Sequence, residues 1–333
     1  MKKLLNSPDR YVDDMLDGLA AAHPSLKRTG PEGRVIVRSE PPGKAKVGIA
    51  SGGGSGHLPL FTGYVGAGLL DSCAIGDVFA GPNLDSCVAA IQAADMGRGV
   101  LRLYGNYGGD RMNFDLAGDM LGWDASRLTT VLGNDDVASA PAAERAKRRG
   151  VAGLIYAYKT AGASADAGAD LQEVTRVARK TVDATRTIGC ALSPCQVPGA
   201  QAPTFELGDG EMEMGMGIHG EPGIWRDRLK PADAVADELV ARVLAETPDT
   251  ATGRVAVLLN TLGATPLEEL YILYRRIASG IASQGLDLRH RLVGHYATSM
   301  EMAGVSLSVL HLDDELEALL NAPADCPFWR VGR

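Results

Sequence analysis

From residue 35 to residue 132 short apolar runs alternate with helical patterns, and nothing else in the chain restricts the fold as much. The runs are residues 35–37, 47–50, 74–75, 100–104 and 128–132. Residues 84–96 and 112–121, which fall between them, carry apolar side chains at helical spacing. Strands joined through helices need crossover connections, and these build a largely parallel sheet. A helix precedes the series: Ser7 and Pro8 suit its cap and first turn, Val12, Met15, Leu16 and Leu19 share a face, and Pro24 closes it.

The second half is less regular. Residues 171–187 form a long helical pattern, and 188–192 and 203–207 read as strands. A loop rich in Gly, Met and Glu spans 208–223. A helix (232–245), a strand (254–260), a helix (267–284) and strand-like runs at 292–296 and 306–312 follow. The expected fold is therefore α/β: two α/β domains, each a mixed or mostly parallel sheet with flanking helices. The end of the long helix places the boundary near 185, giving domains of 1–185 and 186–333. Two domains suit 333 residues. There is no internal repeat and no low-complexity segment.

Several classes fall away. A net charge of -8 argues against a general nucleic-acid binder, which presents a basic face. No run approaches the roughly 18 apolar residues of a membrane span. Lys2 and Lys3 are followed by Asp9, Arg10, Asp13 and Asp14, not by the apolar stretch of a signal peptide. The five cysteines are odd in number and form no C-x-x-C pair, which disfavours a disulfide framework or structural zinc. A cytoplasmic protein with reduced thiols is expected.

The 41 glycines have no period of three, so they are expected at tight turns and close backbone approaches. Four segments stand out. Gly52-Gly53-Gly54-Ser55-Gly56-His57 follows the run 47–50, where open α/β sheets place ligands. It matches neither G-x-x-x-x-G-K-[ST] nor G-x-G-x-x-G. It is either a tight packing turn or a ligand site of backbone amides and His57. Gly105-Asn106-Tyr107-Gly108-Gly109-Asp110 follows the run 100–104. Asp110 is either a helix cap or, if the two loops share a crevice, the acid/base partner of His57. Residues 214–223 set His219 among glycines, which suits close approach by a ligand; with no second ligand at i+3 or i+4, zinc is a weak alternative. Thr265, Pro266 and Glu268 form a capping box for the helix that follows.

Together these segments resemble the ketose-binding subunit of the dihydroxyacetone kinase family. The resemblance runs almost end to end: LLNSPDRYVDDMLDGLAAAHPSL, GIASGGGSGHLPLFTGYVGAGLLD, GDVFAGP, GNYGGDRMNFDLA, EMEMGMGIHGEPG and NTLGATPLEELYILY. It implies that His219 makes a covalent hemiaminal with the ketone carbon, which discriminates ketoses from polyols such as glycerol. His57 and Asp110 would be the acid/base pair, and Gly53, Gly54, Ser55, Gly56, Gly81 and Gly105 would line the ketose. It further implies a separate nucleotide-binding subunit, because the chain stops at Arg333 after the ketose-binding part. That partner would carry ATP, or ADP recharged by a phosphotransferase protein, with Mg2+; no cofactor or metal is expected in this chain. A homodimer is also implied.

The chain departs from the family pattern at Leu58, where an acidic residue is usual, at Gly81 (usually Ser), and at Gly105 and Gly108 (usually Lys and Thr). Three of the four changes go to glycine, so the expectation is a roomier site that admits a ketose larger than dihydroxyacetone, such as erythrulose or a branched pentulose. The alternative is a catalytically silent ketose sensor that activates transcription with a partner.

Overall fold

The computed structural model describes residues 2–332. They form two compact units interleaved along the chain: residues 2–133, 155–181 and 318–332 make the first, and 134–154 and 182–317 the second. This differs from the expected single cut after 185. A break does fall beside that position, but residues 134–154 join the second unit early and 318–332 return to the first.

The first unit runs α1 (Tyr11–Ala22), β1 (Leu26–Thr29), β2 (Val35–Arg38), β3 (Gly48–Ser55), β4 (Ser72–Val78), α2 (Leu84–Ala94), β5 (Val100–Gly105), α3 (Gly108–Leu121), β6 (Leu128–Gly133), α4 (Leu154–Asp166) and α5 (Leu171–Ala184). Its sheet has the order β1-β2-β4-β3-β5-β6. β4, β3, β5 and β6 are mutually parallel, as the strand–helix alternation requires, and β1 and β2 add antiparallel pairs at one edge. α2 and α3 pack their apolar faces on this sheet, with Ala90, Ile91, Phe114 and Ala117 fully buried. Asn83 caps α2 by accepting the Ser86 N–H at 2.8 Å.

The glycine-rich segment, open between a tight packing turn and a ligand site, is strand for most of its length. Gly52, Gly53 and Gly54 lie inside β3, and the turn begins at Gly56, with φ 98°. The three strand glycines serve the expected close approach rather than a turn. A Cβ on Gly52 would lie 2.9 Å from the Phe114 ring, one on Gly53 2.2 Å from the Phe61 ring, and one on Gly54 3.0 Å from the Phe79 Cα. α4 carried no amphipathic signal because it has no solvent face: Leu154, Ile155, Tyr156, Ala157, Tyr158 and Ala161 are all buried.

The second unit continues with β7 (Thr185–Ser193), β8 (Glu211–Met214), β9 (Trp225–Arg228), α6 (Ala232–Leu244), β10 (Arg254–Thr261), α7 (Leu267–Ser283), β11 (Asp287–Gly294), β12 (Ala303–Leu312) and α8 (Asp314–Asn321). Its sheet, β11-β10-β12-β7-β8-β9, is antiparallel except for the β10–β11 pair. α6 and α7 bury Val235, Leu239, Leu270 and Ile277 against it. The α/β class holds, and the second sheet is mixed.

Three local expectations fail here. Residues 203–207 are irregular, and the 208–223 segment contains strand β8, which pairs with β7 through Cys190–Met214. The capping box at α7 does not form: Pro266 is the cap residue, and the Thr265 hydroxyl accepts the Gly304 N–H at 2.8 Å. The chain then returns to the first unit with the hairpin β13 (Ala324–Cys326) and β14 (Trp329–Val331). Among the described residues no helix is long and apolar enough to cross a membrane.

Candidate active site

The expected site residues fall into two clusters, one in each unit. In the first unit β3 ends on Ser55, which is 2% exposed and whose hydroxyl finds no hydrogen-bond partner among the described residues. A buried hydroxyl in that state costs free energy until something bonds to it, so it marks a place for a polar ligand. Gly56 then turns the chain into His57, which is 1% exposed. The His57 ring stacks on Phe79 (centroids 5.0 Å apart, planes at 24°) and meets Phe61 edge-on at 6.1 Å. Both phenylalanines have left-handed backbone, with φ 73° at Phe61 and 59° at Phe79. For a bulky residue this costs on the order of 1–3 kcal/mol and persists only where packing enforces it. The missing Cβ atoms of Gly53 and Gly54 give these two residues their room.

Two residues past Phe79, the chain meets Asp110. A Cβ on Gly81 would sit 2.8 Å from Asp110 Oδ1. The segment from Phe79 to Gly81 thus touches His57 at one end and Asp110 at the other. Asp110 is buried in the first turn of α3, where the helix dipole favours a carboxylate. The space at Gly81 is therefore filled by the Asp110 carboxylate and does not enlarge the site as expected. At Gly108, by contrast, a Cβ would meet nothing within 4 Å. Gly105 is the last residue of β5, paired with Gly133 of β6.

In the second unit, His219 sits in a glycine turn after β8. The Gly217 N–H bonds to the Glu221 carbonyl at 3.1 Å, the Gly220 N–H bonds to the Gly217 carbonyl at 3.2 Å, and Gly220 has φ 82°. The Ser299 hydroxyl donates to the Ile218 carbonyl, and Gly220 packs on Thr204 and Phe205. Glu221, two residues on, grips His219 with both oxygens. Oε1 lies 2.9 Å from His219 Nδ1, and Oε2 accepts the His219 N–H at 2.9 Å. Burial raises the Glu221 carboxyl, but the hydrogen bond with His219, the electrostatic pull of that ring and the nearby Arg149 guanidinium outweigh it and bring it to about 2. An ionised carboxylate only accepts, so Nδ1 carries a proton toward Glu221. About a fifth of the His219 side chain is exposed.

The sequence reading missed Glu221, although an acidic residue in a glycine turn two positions past a histidine was a usable signal. It also missed Phe61 and Phe79, whose backbone conformation no local pattern announces. Among the described residues no three His, Cys, Asp or Glu side chains group as a metal site would.

A strand of glycines leading to a buried histidine in one unit, and a carboxylate-held histidine in a glycine turn in the other, define the class: a two-unit α/β protein with histidine-centred loops. The chain belongs to the Dak1 domain family, whose model matches residues 17–328. It is 43% identical over 331 residues to the dihydroxyacetone-binding subunit DhaK of a PTS-dependent dihydroxyacetone kinase from Listeria innocua, covering 99% of this chain and all of that subunit. It is 44% identical to an L-erythrulose 1-kinase from Mycolicibacterium smegmatis, matching all of this chain and 58% of that longer enzyme. Among solved structures, a dihydroxyacetone kinase operon co-activator, DhaQ, superposes with a TM-score of 0.89 at 30% identity, covering 96% of this chain and 98% of the other.

Proposed function

We propose that this chain is the ketose-binding catalytic subunit of a dihydroxyacetone-kinase-type enzyme. The observation that carries the reading is the Glu221–His219 contact, which holds the imidazole from its Nδ1 side and so orients the ring. Nε2 adds to the ketone carbon, the C=O π bond opens, and the oxygen takes a proton from solvent to become a hydroxyl. The resulting imidazolium keeps Nδ1–H, and its charge is balanced by Glu221. The covalent hold fixes the sugar so that a terminal hydroxyl can be presented to a phosphoryl group. His57 and Asp110 serve as acid/base residues for that hydroxyl, and Gly53, Gly54, Ser55, Gly56, Gly81 and Gly105 as ketose-binding positions.

In this reading the nucleotide, ATP or ADP with Mg2+, is held by a partner subunit, and a phosphotransferase protein is one route to recharge ADP. The L. innocua relative, a PTS-dependent subunit of matching length, supports this arrangement. The ketose class spans dihydroxyacetone and tetruloses, because relatives of nearly equal similarity carry both names. The five cysteines are buried and none is in a disulfide among the described residues, which suits a reducing cytoplasm. A homodimer belongs to the same reading.

The test is carbon-13 NMR of the protein with carbonyl-labelled dihydroxyacetone and erythrulose, followed by phosphorylation assays with a nucleotide-binding partner subunit. The labelled carbon should move from the ketone to the hemiaminal region, glycerol should not compete, and His219→Ala should abolish the shift. The likeness to the co-activator favours a second reading, a ketose sensor. Adduct without turnover on any ketose, in the presence of a competent partner, would select it.

A further inference from the structure

Behind Glu221 stands a second ion pair. Arg149 Nη1 lies 3.6 Å from Glu221 Oε2, while Nη2 and Nε of the same guanidinium reach Asp136 Oδ2 at 2.8 and 3.0 Å. Asp136 is 2% exposed. Its other oxygen accepts the Ala138 N–H at 3.0 Å, and its backbone N–H bonds to the Arg149 carbonyl at 3.1 Å. The neighbouring Asp135 accepts the Val151 and Gly153 N–H groups at 3.0 and 2.9 Å. The stretch that carries Arg149 is therefore pinned on both sides. Gly217 supplies an independent sign that this arrangement matters: a Cβ there would lie 2.6 Å from Arg149 Nη1 and 2.2 Å from Glu221 Oε2. The glycine opens the space in which arginine and glutamate approach.

We propose that Asp136 and Arg149 are positioning residues for His219, acting through Glu221. This rests on the reading of His219 as the nucleophile. The charge of Arg149, 3.6 Å away, draws Oε2 to its side so that Oε1 stays aimed at Nδ1, and Asp136 fixes the guanidinium that does so. It also shares the charge of Glu221. Without Arg149 the full negative charge of Glu221 acts on the imidazole alone. Among the contacts given for the described residues, His219 and Arg149 face Glu221, and Glu221 and Asp136 face Arg149, with Asp135 beside Asp136.

The experiment titrates the full chain with carbonyl-labelled dihydroxyacetone across pH, for wild type, Arg149→Met, Arg149→Lys and Asp136→Asn. Arg149→Met should weaken adduct formation about 10- to 100-fold, by analogy with the loss of an outer partner of a metal-bound histidine. It should also move the acid limb of the profile upward. Arg149→Lys should recover part of both effects, and Asp136→Asn, which is isosteric, should weaken the adduct by a smaller factor. Wild-type adduct with unchanged midpoint and acid limb in the variants overturns the positioning role and leaves His219 as the nucleophile. If Arg149→Met does not fold, Asp136→Asn decides the same question through its midpoint. Absence of any adduct in the wild type overturns the nucleophile itself, and the positioning role with it.

Discussion

The carboxylate of Asp110 stands where a side chain at Gly81 would begin: a Cβ at that position would be 2.8 Å from Oδ1. The glycine at residue 81 is thus a condition for the present placement of Asp110. Gly81→Ser should push the carboxylate aside. Adduct formation at His219 should stay within about twofold, while turnover with a nucleotide-binding partner changes by about 2- to 10-fold, because the carboxylate need move only a few tenths of an ångström to clear the new Cβ and the family pattern tolerates Ser here. Parallel adduct and turnover measurements check it, and equal loss in both would reject the separation of roles.

Glu221→Gln keeps the size of the side chain but leaves one acceptor where two are used, by His219 Nδ1–H and by its backbone N–H. It also removes the charge that balances the imidazolium. Hydrogen bonds to charged groups contribute about 1.5–3 kcal/mol. The ketose dissociation constant should therefore rise about 10- to 100-fold, read from the same carbon-13 titration. An unchanged constant would mean that the carboxylate does not orient the ring.

Two glycine substitutions should act in opposite directions on stability. Gly53→Ala places a methyl 2.2 Å from the Phe61 ring in the middle of β3 and should cost about 1–3 kcal/mol, as overpacking does. Gly109→Ala falls in the first turn of α3, where a Cβ meets nothing within 4 Å, and should gain about 0.5–1 kcal/mol. Denaturant midpoints of the two variants beside wild type give the comparison.

His311 on β12 is 3% exposed, and neither ring nitrogen finds a partner among the described residues. Burial, helped by the Arg186 charge, holds its imidazole down to about 4. Between about 4 and the ordinary value of about 6.5 the unfolded chain binds a proton that the folded one does not. Stability is therefore lost as pH falls through that window. His311→Leu should flatten this part of the profile in urea melts at pH 4 to 7. An unaltered slope would assign the acid sensitivity to other groups.

The sequence made the first sheet legible because buried parallel strands leave continuous apolar runs and their crossover helices leave a periodic face. It left Gly52, Gly53 and Gly54 open, since glycines that admit a neighbour's ring look the same as glycines that turn a chain. α4 was invisible for want of a polar face. At the site, His57, Asp110 and His219 stood out through their settings at strand ends and among glycines. Glu221 had a faint local signal. Arg149 and Asp136 had none, because their bearing on His219 comes from a segment about 70 residues earlier in the chain.

The polypeptide passes between its two units four times, at 133/134, 154/155, 181/182 and 317/318. Ala67 exchanges backbone hydrogen bonds with Asp325, at 3.0 and 2.9 Å, and Gly66 packs against Cys326. During synthesis, residues near 67 leave the ribosome long before their partners exist. The first unit is thus begun early and finished last, after the second has been made in full. No cut between two residues can separate the gene into two halves that each encode a whole unit.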